Sequence, residues 1–268
     1  MRFGGALIAS AAFLTASAAA AQSAADDEPI CADRPGKADG TCTVSAGMVQ
    51  IETGIADWIH DRSGGVRTDE LAVGETAVKL GVTDRLHVQL TILPYSSVRV
   101  REGGLSERVS GFGDLGLAAK YRLTEDSAPV QVAMLPFLKI PTAKRSLGNG
   151  KLEGGIVVPI DYEFPGSPVG LTLSPEIDIN ADSDGSGRHL AMVQAVSLGV
   201  PLSSRLSVAV DLWGEWDWDP AGTSRQYSIG PSAAYLLSND AQVDAGFDGG
   251  LNRQAPDVQV YAGIAFRF

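Results

Sequence analysis

The sequence predicts an all-β protein, a transmembrane antiparallel up-and-down β-barrel of about 12 strands. Three observations carry that reading. Apolar residues recur at every second position in segment after segment, most of the segments run to 11–14 residues, and the connections between them alternate between short and long. A period of two places successive side chains on opposite faces of a strand. Ordinary strands have a mode of about 5–6 residues, whereas a strand crossing a bilayer needs about 9–11. If lipid is the apolar side, every backbone group must be paired within the protein, which requires a closed barrel.

The clearest segment is 257–268, where Val258, Val260, Ala262, Ile264, Phe266 and Phe268 share one face. Asp257, Gln259, Tyr261, Gly263, Ala265 and Arg267 share the other. Such a C-terminal strand is expected to engage the barrel-assembly machinery. Upstream, strands are expected at 47–59, 70–82, 85–98, 111–123, 130–140 and 152–164. They continue at 169–181, 189–200, 205–217, 225–237 and 242–250. Thr76, Val78, Leu80 and Val82 are assigned to lipid, as are Leu86, Val88, Leu90 and Ile92. In the ninth strand Leu206, Val208, Val210, Leu212, Trp216 and Trp218 oppose Arg205, Ser207, Asp211, Glu215 and Asp217.

Short turns at 83–84, 124–129, 165–168, 201–204 and 238–241 belong to the periplasmic side, and longer loops at 60–69, 99–110, 141–151, 182–188, 218–224 and 251–256 to the outside. Aromatic residues gather at the same two levels. Tyr121, Tyr162, Phe164, Tyr235, Phe266 and Phe268 lie near the short turns, and Trp216, Trp218 and Tyr227 near the outer loops, as interfacial girdles require. Two features resist the pattern. Pro94, Pro136, Pro159, Pro175 and Pro231 fall inside expected strands, which calls for bulges there or for strand ends displaced by a few residues, and Gln194 sits on a lipid-facing row.

Residues 1–21 read as a signal peptide, with Arg2, a short apolar stretch and Ala19-Ala20-Ala21 as the cleavage site, so the chain is expected to reach the outer membrane of a Gram-negative bacterium. Residues 22–46 carry proline and glycine without periodicity and read as a periplasmic lead-in; 47–268 form the barrel. Cys31 and Cys42, the only cysteines, are expected to form a disulfide in an oxidising compartment. Two thiols without nearby histidine fall short of a zinc shell, so neither metal nor cofactor is expected. A net charge of −11 argues against a nucleic-acid partner.

The inward rows hold the charge. Lys79, Lys120, Arg122 and Lys139 form a basic wall; Asp161, Glu163, Glu176, Asp178, Asp211, Glu215, Asp217, Asp244 and Asp248 form an acidic one. Across a water-filled lumen the two set up a transverse field that favours cations. The residues expected to tune selectivity are Lys79, Lys120, Arg122, Lys139, Asp161, Glu176, Asp178, Asp211 and Glu215, and neutralising Asp211 with Glu215 is expected to lower cation preference. The same charges could instead pair across a filled interior. No enzyme is expected, because His60, His87 and His189 are not placed beside a serine as an outer-membrane lipid hydrolase needs.

Several segments resemble one family: Cys31-Ala32-Asp33-Arg34-Pro35, Thr41-Cys42-Thr43-Val44, Gln50-Ile51-Glu52-Thr53-Gly54, Gly113-Asp114-Leu115, Leu135-Pro136-Phe137-Leu138-Lys139-Ile140-Pro141-Thr142 and Glu153-Gly154-Gly155. These are similar to the outer-membrane transporters grouped as the "MetA-pathway of phenol degradation" family. The resemblance implies a channel for passive uptake of small solutes, with aromatic or hydrophobic compounds suggested, and it implies that the prolines near 135–142 belong to the architecture. It assigns no binding residue. A structural or adhesive barrel that transports nothing is the alternative.

Overall fold

The computed structural model describes residues 28–268; the expected signal peptide, 1–21, lies outside them. The chain forms β1 (Val49–Ser63), β2 (Val66–Val73), β3 (Glu75–Thr83), β4 (Leu86–Ile92), β5 (Tyr95–Glu102), β6 (Leu105–Gly111), β7 (Leu115–Arg122) and β8 (Val130–Ile140). It continues with β9 (Glu153–Val157), β10 (Ile160–Glu163), β11 (Gly170–Ala181), β12 (Arg188–Pro201), β13 (Leu206–Asp217), β14 (Ser224–Ser238), β15 (Ala241–Gly250) and β16 (Val258–Arg267). Pairing is antiparallel throughout and returns from β16 to β1, from Gln50 opposite Arg267 to His60 opposite Val258. The sheet is therefore closed. Four staves are each built of two segments (β2 with β3, β4 with β5, β6 with β7, β9 with β10), so the 16 segments make a 12-stranded barrel.

Outward rows carry the apolar side chains. Leu80, Val82, Val88 and Leu90 are 41–50% exposed, and so are Val210 and Leu212, a continuous oily band that an aqueous surface does not tolerate at this size. The inward rows are polar and buried: Gln50, Glu52, Lys79, His87, Lys120, Asp211 and Asp248 are all at most 4% exposed. A barrel with its core made of charge and its surface made of leucine is an inversion of soluble packing, and lipid is the solvent that stabilises it.

The expected bulges are not at the prolines, since the register shifts fall at Gly54/Ala56, Gly81/Thr83 and Leu236/Ser238; each proline instead lies at an unpaired step or break in a ladder whose register is unchanged. The carbonyl of Pro175 accepts the Val158 N–H at 2.8 Å, so the donor that Pro175 lacks faces the break between β9 and β10. Pro159 occupies that break, and its carbonyl accepts Ala133 N–H at 3.0 Å. Pro136 lies where the β7–β8 ladder steps from Ala118 opposite Phe137 to Tyr121 opposite Met134. Pro231 lies where β14–β15 steps from Ile229 opposite Gly249 to Ser232 opposite Gly246, and Pro94 separates β4 from β5. Gln194 satisfies its amide on its own strand, donating to the Ala195 carbonyl at 2.6 Å.

Two outer loops differ from expectation. The stretches 60–69 and 99–110 are continued strand pairs closed by two-residue turns at Gly64-Gly65 (φ 59° and 87°) and Gly103-Gly104 (φ 55° and 87°). Consecutive positive φ angles match the turn whose twist suits a hairpin, and only glycine adopts them without strain. Charged residues on both faces of these ribbons broke the apolar alternation, although the backbone pairing continues through them.

The lead-in seated in the lumen

The segment 28–46, expected in the periplasm, threads the barrel interior, and its charges match the walls in order. Asp33 reaches the basic side: its carboxylate takes Lys79 Nζ at 2.5 Å and Lys120 Nζ at 2.6 Å. Lys79 also pairs with Glu52, and Lys120 donates to the Gly40 carbonyl at 2.8 Å. The next residue turns to the acidic side. Arg34 pairs with Asp244 at 3.0 Å; the Lys37 backbone N–H donates to Asp211 at 3.2 Å while its ammonium lies 3.6 Å from Asp248 and 4.8 Å from the Trp213 ring centre.

Beyond Lys37 the chain recrosses. Asp39 N–H donates to Ser174, and Thr41 donates to Asp161 through both its backbone N–H at 2.7 Å and its hydroxyl at 2.6 Å. Val44 N–H donates to His87 Nδ1 at 3.2 Å. The Cys31–Cys42 disulfide closes this excursion into a loop, and Gln50 donates to the Cys31 carbonyl at 3.0 Å. A dipole of separated wall charges thus has a peptide of the complementary order laid across it.

Glycines on the lumen rows make the space. A Cβ built on Gly263 would stand 2.3 Å from the Arg34 guanidinium, and one on Gly81 would stand 1.9 Å from the Ser45 carbonyl oxygen. Gly263→Leu is therefore expected to evict Arg34 from Asp244 and loosen the segment without breaking the β15–β16 ladder. Limited proteolysis of the purified barrel checks this, with faster cleavage within 28–46 in the variant.

Burial pushes the Asp39 carboxyl up to about 6, helped by the negative charge of Asp33 nearby. Burial works in the same direction on Asp33, but Lys120 and Lys79 overcome it and hold that carboxyl below its usual range. A carboxyl raised in the docked state favours docking below its free value near 4 and loses that contribution as pH rises through about 6. The lead-in should accordingly protect better at pH 5 than at pH 8, and Asp39→Asn should remove that difference in the same proteolysis assay.

The remaining residues assigned to the lumen divide by height. Lys139 pairs with Glu153 and lies 3.5 Å from Asp114 near the outer mouth. Asp178 is 8% exposed; Glu176 and Glu215 are half-buried. Glu176, Glu75, Gln89, Asp114, Lys139 and Asp39 of the lead-in line a cavity of about 380 Å³. Arg122 sits at the opposite rim, paired with Asp126 and donating to the Asp84 carbonyl at 3.2 Å. Of the aromatic residues, Tyr121, Phe164, Trp218, Tyr235, Phe266 and Phe268 are exposed, while Tyr162, Trp216 and Tyr227 are half-buried against ring partners or neighbouring strands. His189 lies between Asp182 at 2.9 Å and Asp217 at 3.2 Å, and His60 holds Asp69 at 2.8 Å.

Sequence reasoning missed Asp33, Arg34, Lys37 and Thr41 as lumen residues. The signal was present: an acid followed by two bases inside a cysteine-clamped loop, facing walls of the opposite order.

No protein of curated function matches the chain as a relative. Among solved structures, an outer membrane channel from Pseudomonas putida F1 is similar in fold at 14% identity and a TM-score of 0.64, covering 88% of this chain and 99% of that one. The CymD monoaromatic hydrocarbon channel aligns at 11% identity and a TM-score of 0.45, over 84% and 88% of the two chains. The model of the family described as "Putative MetA-pathway of phenol degradation" matches residues 32–268, and the chain belongs to that family.

Proposed function

We propose that this protein is a passive channel for small solutes in the outer membrane of a Gram-negative bacterium, narrowed by its own lead-in. The observation that carries this reading is the lumen: a closed wall lined by charged and polar side chains, bridged by a segment held through side chains rather than strand pairing. A barrel meant only to be filled has a simpler solution, since apolar packing replaces buried ion pairs at little or no cost. The family's association with phenol degradation favours small aromatic compounds as solutes. Removal of residues 1–21 by a signal peptidase, aromatic girdles at both interfaces, and recognition of β16 by the assembly machinery complete the proposal.

Charge selectivity then belongs to groups that the lead-in leaves free. Asp211 is engaged by Lys37, so Glu176 and Glu215 are the better test. The double variant Glu176→Gln/Glu215→Gln is expected to move the reversal potential in a potassium chloride gradient toward zero. An unchanged potential removes the selectivity assignment, and absence of any conductance from the folded wild-type protein in planar bilayers removes the channel. The seated lead-in favours one second reading, a structural barrel, and that outcome would select it. Release of fatty acid from labelled phospholipid would instead indicate a lipid hydrolase.

A further inference from the structure

The two extended hairpins carry a cluster that the lumen does not use. Asp57 faces inward, accepting from Gln259 at 2.8 Å and standing opposite Tyr261; the next residue, Trp58, stands opposite the exposed Val260 on the lipid row. Alternation then puts His60 and Arg62 on the outer surface. Their cross-strand partners share that face. Arg62 is opposite Arg67 and Arg67 is opposite Arg101; His60 is opposite Asp69, Asp69 opposite Arg99, and Arg99 opposite Arg108.

Five arginines and one histidine thus cover four adjacent strands with Asp69 as the one acid among them. Asp69 is already taken by Arg101 and His60. Among the described residues, Arg62, Arg67, Arg99 and Arg108 have no carboxylate partner; Arg62 donates to His60 Nε2 at 3.0 Å and Arg108 to Tyr95 and Ser97 at 2.8 Å each. The other acids of these hairpins, Asp61, Glu70, Glu102 and Glu107, fall on the alternate positions and face the other way. Like charges directly opposite destabilise a sheet, so sorting every arginine to one face calls for an external anion.

Position names the anion. Below the arginine rows the same face turns apolar or aromatic on three of the four strands: Trp58 on β1, Leu71 and Val73 on β2, and Tyr95 on β5 past Ser97, while β6 presents Ser110. The arginines begin where that band ends, at the level of lipid headgroups. Forked guanidiniums are suited to bidentate phosphate binding. We infer that the outward face of β1, β2, β5 and β6 binds the phosphorylated headgroup of an outer-leaflet glycolipid, through Arg62, Arg67, Arg99 and Arg108. The site lies outside the lumen and does not depend on transport.

The test is a binding titration of the detergent-purified full chain with lipid A bearing two phosphates, the same lipid dephosphorylated, and inorganic phosphate. The wild type is expected to bind the diphosphorylated lipid at least tenfold more tightly than the dephosphorylated one. Arg67→Gln/Arg99→Gln is expected to lose about tenfold, and Arg67→Gln alone, which breaks no ion pair, several-fold; Arg188→Gln on β12 is expected to lose nothing. Equal binding of the two lipids overturns the inference, as does unchanged affinity in the folded single variant. Displacement of lipid A by an equal concentration of inorganic phosphate overturns the lipid as the source of the anion. Conductance is expected to be unaltered in these variants, which separates failure here from failure of the channel.

Discussion

Asp33→Ala is expected to release the lead-in and raise single-channel conductance several-fold. Asp33 is the one lead-in carboxylate on which Lys79 and Lys120 converge, and these ammoniums are 2% and 0% exposed. Removing it leaves Lys79 with Glu52 alone and Lys120 with only the Gly40 carbonyl. Breaking a buried pair by deleting one partner costs about 3–5 kcal/mol, because the other charge stays desolvated. Here the strain has an outlet: undocking the segment lets water reach both lysines. The penalty should therefore appear as lost docking, with the barrel intact. Asp33→Glu tests the geometry, since a carboxylate one methylene longer should restore part of the closure. Planar-bilayer recordings of the three proteins measure the effect.

Opening the Cys31–Cys42 disulfide is expected to act in the same direction with a smaller effect. A crosslink across this sequence separation removes about 3 kcal/mol of conformational freedom from the undocked segment, on the chain-entropy account. The loop it closes contains Asp33, Arg34, Lys37 and Thr41, the residues that touch both walls. Reduced, the loop pays more to dock, and conductance should rise and become noisier as the segment exchanges between seated and free states. Cys31→Ser/Cys42→Ser should reproduce the reduced protein and be indifferent to reductant. The two perturbations touch one loop, so their effects should not add.

How much of this was legible in residue order depends on the kind of physics involved. The barrel was, because lipid enforces a period of two on every stave: the rows of Leu80 and Val82, of Val88 and Leu90, and of Val210 and Leu212 all lie where alternation places them. The prolines were legible as interruptions of the ladder, since a missing N–H must fall at a gap, but not as bulges, because the register is unshifted across Pro136, Pro175 and Pro231. The hairpins closed by Gly64-Gly65 and Gly103-Gly104 were not, because strands rising clear of the lipid band need no apolar row. Nor was the seat of the lead-in. Its docking rests on ion pairs between residues far apart in sequence, such as Arg34 with Asp244, and on the hollow at Gly263, where the absence of a side chain carries the information. Charge order within 33–37 was the readable clue, and it acquires meaning only against the wall it meets.

The most direct test is a density map of the full-length protein in a lipid nanodisc, at a resolution that shows side chains. Continuous density for 28–46 across the lumen is expected, with the Asp33 carboxylate between the Lys79 and Lys120 ammoniums and the Arg34 guanidinium over Gly263. An unobstructed lumen, with this segment outside the barrel and the two lysines facing water, would contradict it.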